Sequence, residues 1–256
     1  MGDALDCLLK VCRDAPGVLL HDSRASRSRA PIAAAIAGLV AAGAFAQVIP
    51  DLGFTTKVGV ALVSLYARRF SPPVPDRLGG WIAFARDQKA RSYMQGLDGA
   101  PGREADVLQV VNDAINRRMK WVDDKTHWGV DDYWATPAES IATAGGDCED
   151  FSLAKYYMLK ELGVPVAKLR IMYVRLLRQG RTAHMVLAYY ATPAAEPMIL
   201  DNVDPSVRGA AQRSDLEPVY SFNDDEVVMI GVGKGKPAQI RAWLSVQERL
   251  VMESGI

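Results

Sequence analysis

The hydrophobic period of this chain changes from helical to alternating between Leu162 and Lys168, and that change constrains the fold more than any other feature. Up to Leu162 the apolar residues recur at three- and four-residue spacing, which marks amphipathic helices. From Lys168 they alternate or run in short blocks, which marks strands. Helices are predicted over residues 55–69, about 77–95 and about 103–123; in the third, Val107, Val110, Val111, Ala114, Ile115 and Met119 form one stripe. Residues 124–147 are too rich in Gly, Pro and Asp for one continuous helix, although 137–143 suits a short one. A further helix is predicted over 148–162, stopped by Gly163 and Pro165, with Phe151, Ala154, Met158 and Leu162 on its inner face. Strands follow at 169–177 and 183–190, joined by a turn at Arg178-Gln179-Gly180-Arg181. Shorter strands are read at 198–200 and 227–230, and a closing helix at 237–252. Helices first and an antiparallel sheet after predict an α+β fold, with an N-terminal helical lobe and a β-sheet lobe.

The N-terminus reads as a separate segment. Arg24, Arg27 and Arg29 precede an uncharged run over 31–46 that ends Gly43-Ala44-Phe45-Ala46-Gln47. A basic region, a short apolar run and an Ala-x-Ala site are the three parts of a secretory signal, so cleavage is expected after Ala46 and the exported domain is expected to span 47–256. A buried alanine helix or an uncleaved anchor is the alternative; the run is short for a membrane span. Thirty basic residues balance thirty acidic ones, and removing 1–46 leaves 25 against 26. Nothing in that balance points to nucleic acid or an anionic surface, so a local site must carry the function. Removal also deletes Cys7 and Cys12. Cys148 is then the one cysteine left, and an unpaired thiol in an oxidising compartment is a liability unless it is buried or has a task.

Gly145-Gly146-Asp147-Cys148-Glu149-Asp150 puts that cysteine where a glycine turn enters a helix, and backbone N–H groups with the positive end of the helix dipole favour a thiolate there. His184 lies on a predicted strand, on the face that carries Val186 and Ala188, and Asp201 ends the next strand. Nucleophile, base and orienting carboxylate need this layout. Each residue also has a bland use: a small buried hydrophobe for Cys148, a structural histidine for His184, a turn for Asp201. His127 is the competing base, in a loop beside Trp128. The backbone N–H of Cys148 is a candidate oxyanion donor by position, as is a donor from the loop 128–134.

Asp147, Glu149 and Asp150 set three carboxylates within two positions of Cys148, and uncompensated negative charge opposes thiolate formation. A hard divalent cation held by these oxygens would answer for all three; with no spare Cys or His, calcium is favoured over zinc. The alternative is that Asp147 caps the helix and the other two suit its dipole.

The segment Gly146-Asp-Cys-Glu-Asp-Phe-Ser-Leu-Ala-Lys-Tyr-Tyr, the preceding His127-Trp-Gly-Val-Asp-Asp-Tyr-Trp-Ala-Thr-Pro, the strand Ala183-His-Met-Val-Leu and Leu200-Asp-Asn together resemble the bacterial transglutaminase-like cysteine proteinases of the LapG type, over roughly residues 75 to 230. The resemblance implies a papain-like, transglutaminase-like fold and a triad of Cys148, His184 and Asp201. It implies calcium dependence and a periplasmic location. Its implied substrate is the N-terminal region of a large biofilm adhesin, cut after a pair of alanines, and its implied inhibitor an inner-membrane cyclic di-GMP receptor. Trp128, Tyr133 and Trp134 are expected either to line the groove for substrate and receptor or to serve as packing anchors. A transglutaminase-like amidase or acyltransferase on peptidoglycan or another amide, and a calcium-dependent binding module without catalysis, stay open as alternatives. The segment after Arg208 matches no part of that resemblance.

Overall fold

The computed structural model describes residue 66 and residues 68–69, 74–94, 103–237 and 240–254. The expected signal segment with its cleavage after Ala46, Cys7 and Cys12, and most of the helix read at 55–69 lie outside the described residues. Helices α1 (Val74–Met94) and α2 (Arg103–Arg118) lead to a two-residue strand β1 (Lys120–Trp121), a short helix α3 (Asp124–His127) and a helix α4 (Pro137–Thr143). Then come β2 (Gly145–Gly146), the helix α5 (Cys148–Glu161), and strands β3 (Leu169–Leu176) and β4 (Thr182–Tyr189). Strands β5 (Met198–Leu200), β6 (Arg208–Gly209), β7 (Leu216–Phe222), β8 (Val227–Met229) and β9 (Gly233–Gly235) precede the closing helix α6 (Arg241–Ser254). Strands β3 to β9 form one antiparallel sheet in the order β6-β5-β4-β3-β7-β8-β9, so the α+β reading holds.

Helix α5 is the axis of the molecule. Eleven of its consecutive residues, Glu149 to Leu159, are buried, because helices lie on one side of it and the sheet on the other. Its inner side meets Leu169, Ile171, Met185, Leu187 and Tyr189 of β3 and β4 in the main core. The opposite face of the sheet holds a smaller cluster of Met172, Val174, Val186, Ala188 and Ile199. The helix stops where expected: Gly163 takes φ +90, a left-handed conformation that a residue with Cβ adopts only with strain.

Two sequence expectations need correction. The helix read at 103–123 ends at Arg118, because the Lys120 amide bonds to the Ala144 carbonyl and the Val122 amide to the Gly146 carbonyl, which draws the chain into a parallel pairing beside β2. Strand β7 was not expected at all, since Pro218 interrupts it and proline demotes a segment as a strand. The register shifts between Tyr173 and Val174, which pair with Tyr220 and Pro218, so Val219 is an extra residue and the proline sits at a bulge where a missing N–H is tolerated.

Helix α6 folds back over the start of the molecule. Trp243, 1% exposed, packs edge-on to Tyr156 and Phe222 and stacks on Tyr157. From the same helix, the Arg249 guanidinium lies over the Tyr133 ring at 4.6 Å and donates to the Trp134 carbonyl. Thr136 donates to Glu253 at 2.7 Å, and the Tyr66 hydroxyl bonds to the same carboxylate. The C-terminal helix therefore clamps the loop 133–136. Trp243→Ala should destabilise the protein by about 3–5 kcal/mol, as for other large buried aromatics, measured as a lower midpoint in chemical denaturation at an unchanged slope.

Candidate active site

Local structure places Cys148 before any tertiary contact does. Helix α4 opens with a capping box, in which Thr136 accepts from the Glu139 amide and Glu139 from the Thr136 amide, with Pro137 in its first turn. It ends at Ala144 in the left-handed region (φ 55), and Gly145-Gly146 then runs beside β1. A Cβ on Gly146 would lie 2.4 Å from Asp150 Oδ2, so only glycine allows this approach to the helix that follows. Cys148 is the first residue of α5, and its thiol donates to Glu149 Oε2 at 3.3 Å. Strand β5 pairs with β4 only over Leu187 to Tyr189, and the Met185 amide of β4 is available to bond the thiol. Burial pushes the thiol well above its usual range, and the charges of Glu149 and Asp147 push it further; the Met185 amide opposes them.

His184 and Asp201 come together as expected: the imidazole Nε2 lies 2.8 Å from Asp201 Oδ1, and both residues are buried. Asp201 Oδ1 also accepts from the Val203 amide at 2.9 Å. Burial would raise the Asp201 carboxyl, but the His184 contact, the Val203 amide and Arg213 outweigh it and hold the group well below the usual carboxylate range. Arg213 was not anticipated from sequence. Its Nη2 donates to Asp201 Oδ2 at 2.7 Å, twelve residues downstream in a segment with no recognisable pattern. Lys155, 1% exposed and two turns along α5 from Cys148, lies near Asp201; burial lowers its amine to about 7, against the pull of that carboxylate. With Nε2 engaged by Asp201, Nδ1 is the ring nitrogen of His184 that remains.

Asp147, Glu149 and Asp150 gather as expected, and two more carboxylates join them from the preceding loop. Oxygens of Asp124, Asp132 and Glu149 lie within 4.8 Å of one another, as do those of Asp124, Asp147 and Asp150. Sequence offered only the acidic pairs Asp123-Asp124 and Asp131-Asp132 as a signal, too far along the chain to assign. Asp147 occupies the N-cap position of α5 but its side chain makes no capping hydrogen bond, contrary to the capping alternative. Asp124 Oδ2 accepts from the Tyr133 amide and Asp150 Oδ1 from the Ala135 amide, at 2.6 and 2.7 Å. Their other oxygens, with Asp147 Oδ1, are buried and have no hydrogen-bond partner. Burial raises Asp132 to about 6, assisted by the charge of Asp124, and it raises Asp147, Glu149 and Asp150 as well, with neighbouring carboxylates adding to the effect. Clustered, desolvated, unpartnered carboxylate oxygens are the donor set of a hard divalent cation.

The aromatic residues divide. Trp128 stands between His127 and Tyr133, ring centroids 4.3 and 4.8 Å apart, and Trp128 and Tyr133 remain partly exposed. Trp134 is 8% exposed and stacks on Phe222 at 5.8 Å, so of the two expected uses it takes that of a packing anchor and not a groove wall. His127 packs against Gly145, and its Nδ1 is buried without a hydrogen-bond partner. It lacks the carboxylate that orients His184.

A family model described as bacterial transglutaminase-like cysteine proteinase matches residues 79–216. Solved structures of Legionella pneumophila LapG are similar to this chain at 31% identity. Those of the EGTA-treated and the untreated protein cover 76% of this chain and 98% of that one, each with a TM-score of 0.62. The calcium-bound form covers 75% and 98%, with a TM-score of 0.59. No curated protein matches the chain.

The acidic cluster has a measurable consequence. Carboxyls raised on folding bind more protons in the folded than in the unfolded state, so the metal-free protein should lose stability as pH rises from the ordinary carboxylate range through the raised values, about 6 for Asp132. A bound cation removes that slope and must displace protons to enter. The rise in melting temperature on adding calcium should therefore grow between about pH 5 and about pH 8. Asp124→Asn should weaken binding at least about tenfold by calorimetry.

Proposed function

Because the chain belongs to the bacterial transglutaminase-like cysteine proteinases, we propose that it is a calcium-dependent endopeptidase that uses Cys148 as nucleophile, His184 as base and Asp201 as the orienting acid. The observation that carries this reading is the buried contact of His184 Nε2, on β4, with Asp201 Oδ1, just after β5, near a cysteine that opens a helix and faces the Met185 amide.

The residues suggest the following sequence. With Nε2–H donated to Asp201, His184 Nδ1 is the basic nitrogen, and it takes the thiol proton as Cys148 sulfur attacks the peptide carbonyl carbon. The backbone N–H of Cys148, at the first position of α5 and without an intrahelical acceptor, is suited to the oxyanion. Collapse breaks the C–N bond; the imidazolium passes its proton to the leaving amine and a thioester remains. His184 then deprotonates a water that attacks the thioester carbonyl, and the thiol is regenerated as the carboxylate product leaves. Asp201 stays ionised throughout and fixes the imidazole tautomer. Asp147, Glu149, Asp150, Asp124 and Asp132 would hold calcium, whose charge, when bound, relieves the negative field at the thiol.

The substrate class rests on the resemblance of the motifs: a large surface adhesin cut in its N-terminal region after paired alanines, with release from the cell and loss of biofilm attachment. An inner-membrane cyclic di-GMP receptor would compete through the exposed parts of Trp128 and Tyr133, and the segment before Gln47 would direct the protein to the periplasm.

Incubating the protein with the N-terminal fragment of such an adhesin, with and without calcium, tests the reading. Cleavage is expected in calcium and not in EGTA. Cys148→Ala should abolish it while leaving the fold intact, and His184→Ala should lower it by about 10²–10⁴-fold. His127→Ala should be much milder. Stoichiometric incorporation of a labelled amine in place of new carboxyl termini would establish an acyltransferase; turnover by Cys148→Ala would overturn the mechanism.

A further inference from the structure

The carboxylate of Asp201 is used on both sides, and the proposed mechanism employs only one. Oδ1 receives His184 Nε2 at 2.8 Å and the Val203 amide at 2.9 Å; Oδ2 receives Arg213 Nη2 at 2.7 Å. The Arg213 side chain is 2% exposed, and its own orientation is set by Asp215, which takes Nε at 3.0 Å and Nη2 at 3.1 Å. Asp215 is in turn fixed to the β3–β4 hairpin, since its carbonyl accepts from the Leu177 amide at 2.7 Å. Burial leaves Arg213 Nη1 without a hydrogen-bond partner. A guanidinium retained only to fill space would be poorly placed here, because an apolar side chain fills the same space without desolvating a charge. What it does accomplish is geometric: a bond to Oδ2 turns Oδ1 toward the imidazole and prevents rotation of the carboxylate about its own axis.

We infer that Arg213 is a positioning residue of this site, which holds Asp201 through Oδ2 so that His184 carries its proton on Nε2 and presents Nδ1 to Cys148. The inference rests on the proposed roles of His184 and Asp201. It assigns a task to the segment between β6 and β7, which the fold alone does not require to carry an arginine. The charged groups around the pair are Arg213 and Asp215 from the segment between β6 and β7 and Lys155 from α5; only Arg213 donates a hydrogen bond to the carboxylate among them.

The test is the tautomer of His184, read from the ring nitrogen shifts of the full-length, calcium-loaded protein labelled with ¹⁵N-histidine. It is paired with the rate at which iodoacetamide alkylates Cys148, followed on the Cys148 peptide by mass spectrometry. The unsubstituted protein should show one neutral tautomer, with the proton on Nε2. Arg213→Met should give a mixture of tautomers and slow alkylation about tenfold or more, short of the ~10⁴-fold loss that follows complete removal of the orienting carboxylate's function in a serine enzyme. Arg213→Lys keeps a cation that cannot span Asp201 and Asp215, and should fall between the two. A single Nε2–H tautomer and unchanged alkylation in Arg213→Met would overturn the inference; should that variant not fold, the same result in Arg213→Lys does so. Asp201→Asn separates the two levels. If it disturbs the tautomer while Arg213→Met does not, Arg213 alone has been misassigned; if Asp201→Asn also leaves the tautomer intact, the triad itself falls.

Discussion

Negative charge gathered at the start of α5 is the constraint on which the rest of this structure depends. The Cys148 thiol, the proposed nucleophile, stands between Asp147 and Glu149, with Asp124, Asp132 and Asp150 close behind. Burial alone would keep the thiol protonated, and the neighbouring carboxylates add to that tendency. The helix dipole and the Met185 amide oppose it, but one dipole and one amide are weak against several desolvated charges. The unpartnered oxygens of Asp124, Asp147 and Asp150 are the other side of the same imbalance. They are the oxygens that a cation would neutralise, which in the proposed mechanism ties the chemistry of Cys148 to metal binding as well as to His184.

The same loop answers to several parts of the chain. Its amides at Tyr133 and Ala135 fix Asp124 and Asp150, its aromatic rings stack from His127 to Tyr133, and its far end is clamped by Arg249 and Glu253 of the last helix. A rigid scaffold that positions a functional loop is a common solution, because irregular backbone cannot hold carboxylates at close range by itself. Here the scaffold is assembled from both ends of the described chain. The C-terminal helix contributes no candidate ligand or catalytic group, yet the loop's hydrogen bonds depend on it.

A cation at Asp201, Arg213, makes the second half of the site a counterpart of the first. His184, the Val203 amide and Arg213 stabilise the Asp201 carboxylate as an anion, whereas the carboxylates at Cys148 repel one another. One environment lies at the start of α5, the other on β4 and just after β5. Their difference follows from which charges tertiary packing brings to each, since both begin as buried acidic side chains.

Much of this was legible in the order of residues. The switch from helical to alternating periodicity gave the α+β class, Gly163 stopped α5 through its left-handed φ, and the Gly145-Gly146-Asp147-Cys148 turn gave the nucleophile its place at a helix start. Those are local properties, set by backbone preference and side-chain period within a dozen residues. Strand β7 was hidden, because Pro218 is tolerated only at a bulge that its partner strand creates. The end of α2 was misjudged, because a pairing with Gly145-Gly146 drew the chain out of its helix. Asp124, Asp132 and Arg213 could not be assigned from the sequence, because the residues that give them meaning lie 12 to 26 positions away along the chain. Sequence by itself determined the helices, the main hairpin and the residue types of the candidate site. Only the tertiary structure decided which carboxylates share a cation site, which nitrogen of His184 meets Asp201 and which arginine stands behind it, since electrostatic and hydrogen-bond partners are chosen by proximity in space and burial, neither of which a linear pattern encodes.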